Sequence, residues 1–514
     1  MAEVPSPSTE GQAVREGGRP DTKASPAAPL DLLTSQIERI PALQGRRPAE
    51  ILREVPLFSE LGDEQLGRLA PGALIHTAPP NSLVIREGDY EETFFILLSG
   101  RVLVIAGAET SSAKHLGTLG KGEFFGEMAA LSGYPRSATV MTAEPSVLLE
   151  VTKESFLAFL DHAPTVKAAL DQEYKARALQ GQLQLTSLFS GVEQSVLDEL
   201  AEKAILKTVK KAEVVFREGD PGDSFYMVRN GFAKVSRWKG QEEFVLAYLK
   251  GGTYFGEMAI LSDEPRSANV TTVTRLEVVQ FPRDEFLSVL RRYPEVERKV
   301  RNEIEERRKW QQKIQQNVTL ATTLKGFVEG GVIGGRDVLM IDLKKCIRCY
   351  NCVRACREVH DDGHSRVNLK GIKVGSLLIA TSCRHCYDPE CMVCPIGAID
   401  RDQTGRVEIK PHCMGIGKCA KGCPNGVISL VNVEAITKPK GRLLRYLERF
   451  KKRRIPKAVP SGPQPAYLAR RKRYSIKCDL CEGFPGPACM GNCPTGAAQR
   501  LNPEEYIRYL GRAT

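Results

Sequence analysis

Short runs in which apolar and polar residues alternate fill the first two-thirds of the chain, as at 82–85, 94–98 and 234–237. Side chains two apart share one face of an extended strand, so this pattern predicts half-buried β-strands. Gly-Asp and Asn-Gly pairs punctuate the runs and predict tight turns between antiparallel neighbours. Longer stretches with helical spacing flank them, at 63–69 and 153–179, then at 192–206 and 283–316. In the last of these, Val296, Val300 and Ile304 fall on one apolar face.

The strand-rich part is written twice. PLFSEL (56–61) recurs as SLFSGV (187–192), REGD (86–89) as REGD (217–220), and FFGEMAALSGYPRSATV (124–140) as YFGEMAILSDEPRSANV (254–270). The offset is 131 residues at the start and 130 at the end. A period this long far exceeds the 20–50 residues of solenoid repeats, so it predicts two tandem domains. Each is expected to be a β-barrel of the jelly-roll kind with flanking helices.

The most alike part of the repeat, FGEMA followed by PRSA, has the chemistry of a phosphate cassette. A short helix opening at Gly126, and again at Gly256, would aim backbone N–H groups at an anion. Arg136 and Arg266 would add charge-assisted pairs to phosphate oxygens. Glu127 and Glu257 would accept a hydrogen bond from a ribose hydroxyl. Both copies resemble the cyclic-nucleotide-binding domains of the catabolite activator and protein kinase A regulatory subunit family, over about 54–180 and 185–315. The resemblance implies a cyclic nucleotide held by Gly126, Glu127, Met128, Ala129, Arg136 and Ser137, and by Gly256, Glu257, Met258, Ala259, Arg266 and Ser267. Alanine after the arginine accompanies cAMP and threonine cGMP in the kinases; serine follows neither rule, and the expectation leans to cAMP.

All 15 cysteines lie between Cys346 and Cys493. The first group, Cys346, Cys349, Cys352 and Cys356, has the C-x₂-C-x₂-C-x₃-C spacing of bacterial ferredoxins. Three more groups follow: Cys383, Cys386, Cys391 and Cys394; Cys413, Cys419 and Cys423; Cys478, Cys481, Cys489 and Cys493. A zinc ribbon wants two isolated C-x₂-C knuckles rather than overlapping triplets. A disulfide framework suits short secreted chains with an even count. Iron–sulfur ligation is the expectation.

Four groups in this order resemble the four-cluster ferredoxin subunits of molybdopterin oxidoreductases, such as those of dimethyl sulfoxide reductase and nitrate reductase, over about 338–500. The resemblance implies one cluster on Cys346, Cys349, Cys352 and Cys493, and a second on Cys356, Cys478, Cys481 and Cys489. It implies a third on Cys383, Cys386, Cys391 and Cys423. Ile416 stands where the fourth cluster would take its second ligand in group three, leaving Cys394, Cys413 and Cys419 for a 3Fe–4S cluster beside three 4Fe–4S clusters. Cys391 and Cys394 are three apart, where the family usually has four.

Charge is concentrated rather than spread. The chain carries a formal +11, whereas 438–477 alone holds 15 Lys or Arg and one acidic residue, Glu448. Leu443, Leu447 and Phe450 share a helical face within it. A solvated loop offsetting acidic clusters is the simplest reading; docking of an acidic redox partner, a membrane surface and, last, nucleic acid are the others. The expected organisation is a disordered segment 1–48, cyclic-nucleotide-binding domains 49–183 and 184–316, a linker 317–337, and an α+β ferredoxin-like domain 338–514 with a basic insertion 438–477. No run approaches the ~20 apolar residues of a membrane span; with reduced thiols this suggests the cytoplasm.

The functional expectation is a non-enzymatic, cyclic-nucleotide-regulated electron-transfer protein passing single electrons between a donor and an acceptor oxidoreductase, so redox protein partners are implied. The alternative is a signalling adaptor sensing redox state through its clusters and nucleotide through its barrels.

Overall fold

The computed structural model describes residues 39–43, 45–69, 72–110, 113–360, 362–432 and 473–512. The chain divides into two compact units. One is built on the first strand-rich copy; the other, Lys203–Tyr509, joins the second copy to the cysteine-bearing region. These last two were expected as separate domains.

In the first copy the strands are Ala73–Ala78, Leu83–Ile85, Phe94–Ser99, Val102–Ala106, Lys114–Leu119, Phe124–Phe125, Thr139–Thr142 and Ser146–Val151 (β1–β8). They form two antiparallel sheets ordered β1-β8-β3-β6 and β2-β7-β4-β5. The second copy has Ile205–Val209, Val214–Phe216, Ser224–Asn230, Phe232–Lys239, Glu242–Lys250, Tyr254–Phe255, Asn269–Thr272 and Leu276–Pro282 (β9–β16). Its sheets, β14-β11-β16-β9 and β10-β15-β12-β13, repeat the connectivity. The cores repeat too: Phe94 stacks on Phe156 at 4.2 Å between centroids and Phe225 on Phe286 at 4.0 Å. All four rings are fully buried, each contributing roughly 1.5–3 kcal/mol of hydrophobic stabilisation.

The flanking helices correct the sequence reading in three places. The helix expected over 153–179 is two, Lys153–Leu160 and Pro164–Leu185, and that over 283–316 is Arg283–Arg292 and Pro294–Gln316. Each break falls just before a proline at the first helical position, where its missing N–H costs nothing and the preceding residue leaves the helical region. The segment expected as a linker contains the packed helix Val318–Glu329, with Leu320, Leu324, Phe327 and Val328 buried on one face. Upstream, Leu43 is buried in the first core, within the segment expected to be disordered; residues 1–38 of that segment lie outside the described residues. So do 433–472, which include most of the basic insertion with Leu443, Leu447 and Phe450. Val296, Val300 and Ile304 are buried.

The cysteine-bearing region has a sheet ordered β18-β19-β17-β24, from Asn368–Val374, Leu377–Thr381, Val338–Asp342 and Ala498–Leu501. Two hairpins accompany it: Ile399–Arg401 with Val407–Ile409 (β20, β21), and Ser429–Asn432 with Arg473–Ile476 (β22, β23). These pairings fold distant cysteine groups onto one another. Ile341 of β17 faces Ala498 of β24, so Cys346 and Cys493 leave the same end of one strand pair. Ile399 faces Ile409, so the β20–β21 hairpin returns the chain from Cys394 to Cys413.

Candidate nucleotide sites and metal centres

Gly126 and Gly256 precede the short helices Glu127–Ser132 and Glu257–Ser262 with φ of 85° and 88°. A Cβ on Gly126 would lie 2.7 Å from Arg136 Nη1 and 2.8 Å from Thr93 O, so only glycine lets the arginine pass beneath the turn. Arg136 donates from Nη1 to Gly126 O at 3.0 Å and from Nη2 to Thr93 Oγ1 at 2.9 Å. Arg266 repeats the first bond to Gly256 O at 2.9 Å and turns Nη2 to Ser224 O at 2.7 Å and Asp223 Oδ1 at 3.2 Å. Both arginines are buried, and the Nε of each has no hydrogen-bond partner among the described residues. Burial lowers both guanidinium pKa values below the usual arginine range. An anion within reach would supply the missing bond and the compensating charge.

Glu127 and Glu257 are buried, and each is held by an arginine that the sequence reading missed. Arg177 Nη1 donates to Glu127 Oε1 at 2.9 Å and to Phe124 O at 3.0 Å, with its guanidinium 4.8 Å over the Phe124 ring. Arg307 donates to Glu257 Oε1 at 2.8 Å and to Tyr254 O at 2.7 Å, 4.9 Å over the Tyr254 ring. The signal was present: Arg177 and Arg307 stand 130 apart, as the cassettes do. Burial raises the pKa of the Glu127 carboxyl against the pull of Arg177. Each cassette is thereby tied to the helix that follows its barrel.

In the second copy a cavity of about 340 Å³ gathers all six expected residues, Gly256, Glu257, Met258, Ala259, Arg266 and Ser267. Leu246–Leu249 of β13 form another wall, and Arg307 and Trp310 of Pro294–Gln316 close a side. Ser267 O accepts from Arg237 Nε. In the first copy Ala129 is buried and Ser137 Oγ lies 3.5 Å from Met128 Sδ.

None of the 15 cysteines forms a disulfide, and they assemble across the sequence groups. Cys346, Cys352, Cys356, Cys489 and Cys493 share one packed cluster, and Cys391, Cys394, Cys419 and Cys423 another. Burial raises Cys391 to about 12, with Cys383, Cys423 and Cys386 close enough to add to it. Burial likewise raises Cys352 to about 11, with Cys489, Cys493 and Cys349 adding. Cys489 is within electrostatic reach of Cys356 and Cys481. Cys394, Cys413 and Cys419 line a single cavity together with Ile416.

The loops between these thiols turn backbone N–H groups towards sulfur. Arg348, Tyr350, His385, Leu480 and Cys481 adopt positive φ, rare without glycine, and Gly415 and Gly417 do so between Cys413 and Cys419. Such turns form concavities that favour anions, iron–sulfur clusters among them. Arg366 N donates to Cys356 Sγ at 3.1 Å, and Gly415 N, Ala488 N and Ala498 N reach Cys413, Cys481 and Cys493 at 3.4 Å. Arg500 Nη2 donates to Cys478 Sγ at 2.9 Å. The donor set fits thiolate-held clusters. Of the nearby histidines, His385 Nδ1 accepts from Val407 N at 3.1 Å, and His412 Nε2 contacts Ile396 O at 3.1 Å. His360 Nε2 lies 3.1 Å from Asp479.

Residues 75–163 and 206–293 both match the family described as cyclic nucleotide-binding domain. The two barrels are tandem cyclic-nucleotide-binding domains. The cAMP-dependent protein kinase regulatory subunit of Yarrowia lipolytica is 33% identical over 236 residues, 46% of this chain and 58% of that one. Its namesake in Emericella nidulans is 33% identical over 246 residues, 46% and 57% of the two chains. The chain thus spans less than two-thirds of the length of these curated relatives. A solved structure of the regulatory domain of Toxoplasma gondii PKA with cAMP is 25% identical, covering 50% of this chain and 95% of that one, at a TM-score of 0.25.

These relatives overturn the expected electron-transfer function and its redox partners. They are named as regulatory subunits of a kinase, not carriers of electrons. The expectation that the chain is no enzyme accords with regulatory subunits. The cysteine spacing misled at one step: a ligand pattern says what a site can hold, and electron transfer as the chain's task does not follow from it.

Proposed function

We propose that this chain is a cAMP-responsive regulatory protein. The observation that carries the reading is the duplicated cassette: in each copy a buried arginine with an unsatisfied Nε lies beside a buried glutamate tied to the following helix. The phosphate of cAMP would take the arginine, and the ribose would meet the glutamate. Trp310 offers an aromatic face to the purine in the second site. Because Arg177 and Arg307 reach these glutamates from the post-barrel helices, occupancy and helix position are linked in both copies. The partner that the relatives' names support is a protein kinase catalytic subunit.

The cysteine-bearing region is proposed to be a four-cluster ferredoxin-like domain with three 4Fe–4S clusters and one 3Fe–4S cluster, the last on Cys394, Cys413 and Cys419 beside Ile416. When bound, such clusters would tie thiolates from distant segments into one framework, so that assembly and folding of this region are one process. Against the opposing effect of burial, hydrogen bonds to sulfur lower the pKa of Cys356 and Cys493 and so favour their thiolate form.

The test is capture. The full chain is immobilised, exposed to extract from its own cells and washed with cAMP. A protein kinase released by cAMP, and retained by a chain carrying both Arg136→Ala and Arg266→Ala, is the expected result. Equal release from both chains, or none from either, would overturn the regulatory reading.

A further inference from the structure

The strands that wall the second nucleotide cavity also carry the attachment of the cysteine-bearing region. β13 supplies Leu246, Ala247, Tyr248 and Leu249 to the cavity, and the next residue, Lys250, forms a salt bridge with Glu504 of the helix Pro503–Arg512. Glu504 is almost wholly buried there. Tyr248 lies within electrostatic reach of both Glu504 and Tyr387.

β12, paired with β13, begins at Phe232, whose ring meets that of Tyr387 at 5.4 Å. Tyr387 directly follows Cys386 in the loop of the second cysteine group. Three contacts fix it: its N–H donates to Gly334 O at 2.9 Å, its carbonyl accepts from Arg401 at 2.9 Å, and its hydroxyl accepts from Asn502 at 3.2 Å. Glu390, beside Cys391 in the same loop, pairs with Lys211 at 2.5 Å. The helix Pro294–Gln316 that closes the cavity leads into Val318–Glu329, which packs on β13 and on β18 of the cysteine-bearing region.

We infer that the second nucleotide site is energetically coupled to the 383–394 cysteine loop through the β12–β13 hairpin, so that nucleotide binding and docking of that loop favour one another. The inference rests on the cAMP reading above and adds a regulation specific to the second site. Docking holds β13 and the closing helix in the arrangement that forms the cavity, so the docked state is the preorganised one. The nucleotide then binds the docked state more tightly and shifts the equilibrium towards it.

The experiment uses the full chain and cAMP. Calorimetry in an Arg136→Ala background isolates the second site, and an Arg266→Ala background isolates the first. Tyr387→Ala, and separately Glu504→Gln, should weaken cAMP at the second site by roughly 5- to 150-fold, the usual span of allosteric coupling, and leave the first unmoved. Hydrogen exchange gives a second measurement without substitution at the interface. Saturating cAMP should slow exchange in peptides spanning 383–394, and Arg266→Ala should abolish that protection. If Tyr387→Ala proves to unfold the cysteine-bearing region, Glu504→Gln and the exchange measurement decide. Second-site affinity unchanged within about twofold in Glu504→Gln, together with exchange indifferent to cAMP, would overturn the coupling. Failure of the unsubstituted chain to bind cAMP at either site would overturn the nucleotide reading itself.

Discussion

Replacing Arg177 by methionine isolates the buried pair that joins the first cassette to its helix. Methionine keeps much of the aliphatic stem, while Glu127 loses the donor at 2.9 Å and Phe124 loses the guanidinium over its ring. Glu127 is 1% exposed, so water cannot replace that donor without opening the site. Breaking a buried ion pair by removing one partner costs roughly 3–5 kcal/mol, because the other charge stays behind. The cost should depend on pH. Burial already raises the Glu127 pKa, and losing Arg177 raises it further. The folded protein then prefers the neutral acid. The penalty is small near the unfolded glutamate pKa of about 4.3 and grows as pH rises through the higher folded value. Native-state hydrogen exchange of the full chain, read on peptides from Pro164–Leu185 and 126–137, measures it locally. At pH 8 exchange should accelerate by roughly 150- to 4,000-fold, and by much less at pH 5. A change worth under about 1 kcal/mol, or one equal at both pH values, would refute the reasoning, since that is what an exposed pair gives.

Three further outcomes are expected. Gly126→Ala should abolish cAMP binding at the first site only, because the new Cβ meets Arg136 and Thr93 in a left-handed turn; calorimetry in an Arg266→Ala background reads it. Anaerobically purified chain should hold about 15 iron atoms, and Ile416→Cys should raise this to about 16 and remove a half-integer-spin signal of the oxidised protein; unaltered iron and spectrum would refute the three-thiol site. Leu324→Ala should destabilise the second unit by roughly 2–5 kcal/mol, since Leu324 is fully buried, whereas a flexible linker would lose nothing measurable in urea unfolding.

The repeat made much of the nucleotide site legible. Gly126, Arg136 and their copies follow from one segment written twice, and the cavity of the second copy gathers the six residues expected there. Arg177 and Arg307 escaped notice because a lone arginine on a charged helix looks like any solvated residue; only the 130-residue spacing marks it. The segment 317–337 is expected as a linker, yet the apolar face of Leu320, Leu324, Phe327 and Val328 decides its structure. Which thiols would share a site came from the family resemblance alone, and strand pairing such as Ile341 with Ala498 is the physical reason that the first and last cysteine groups lie near one another. The joining of the second barrel to the cysteine-bearing region was not legible, because Phe232, Tyr387 and Glu504 carry no local signature.

Titration calorimetry of the intact chain with cAMP tests the central claim most directly. The account predicts two binding sites. Arg136→Ala and Arg266→Ala should each weaken a different one by roughly 30- to several-thousand-fold, the loss of about 2–5 kcal/mol from a buried contact to phosphate. Two sites that keep their affinity in both variants, or an intact chain that binds no cAMP, would contradict it.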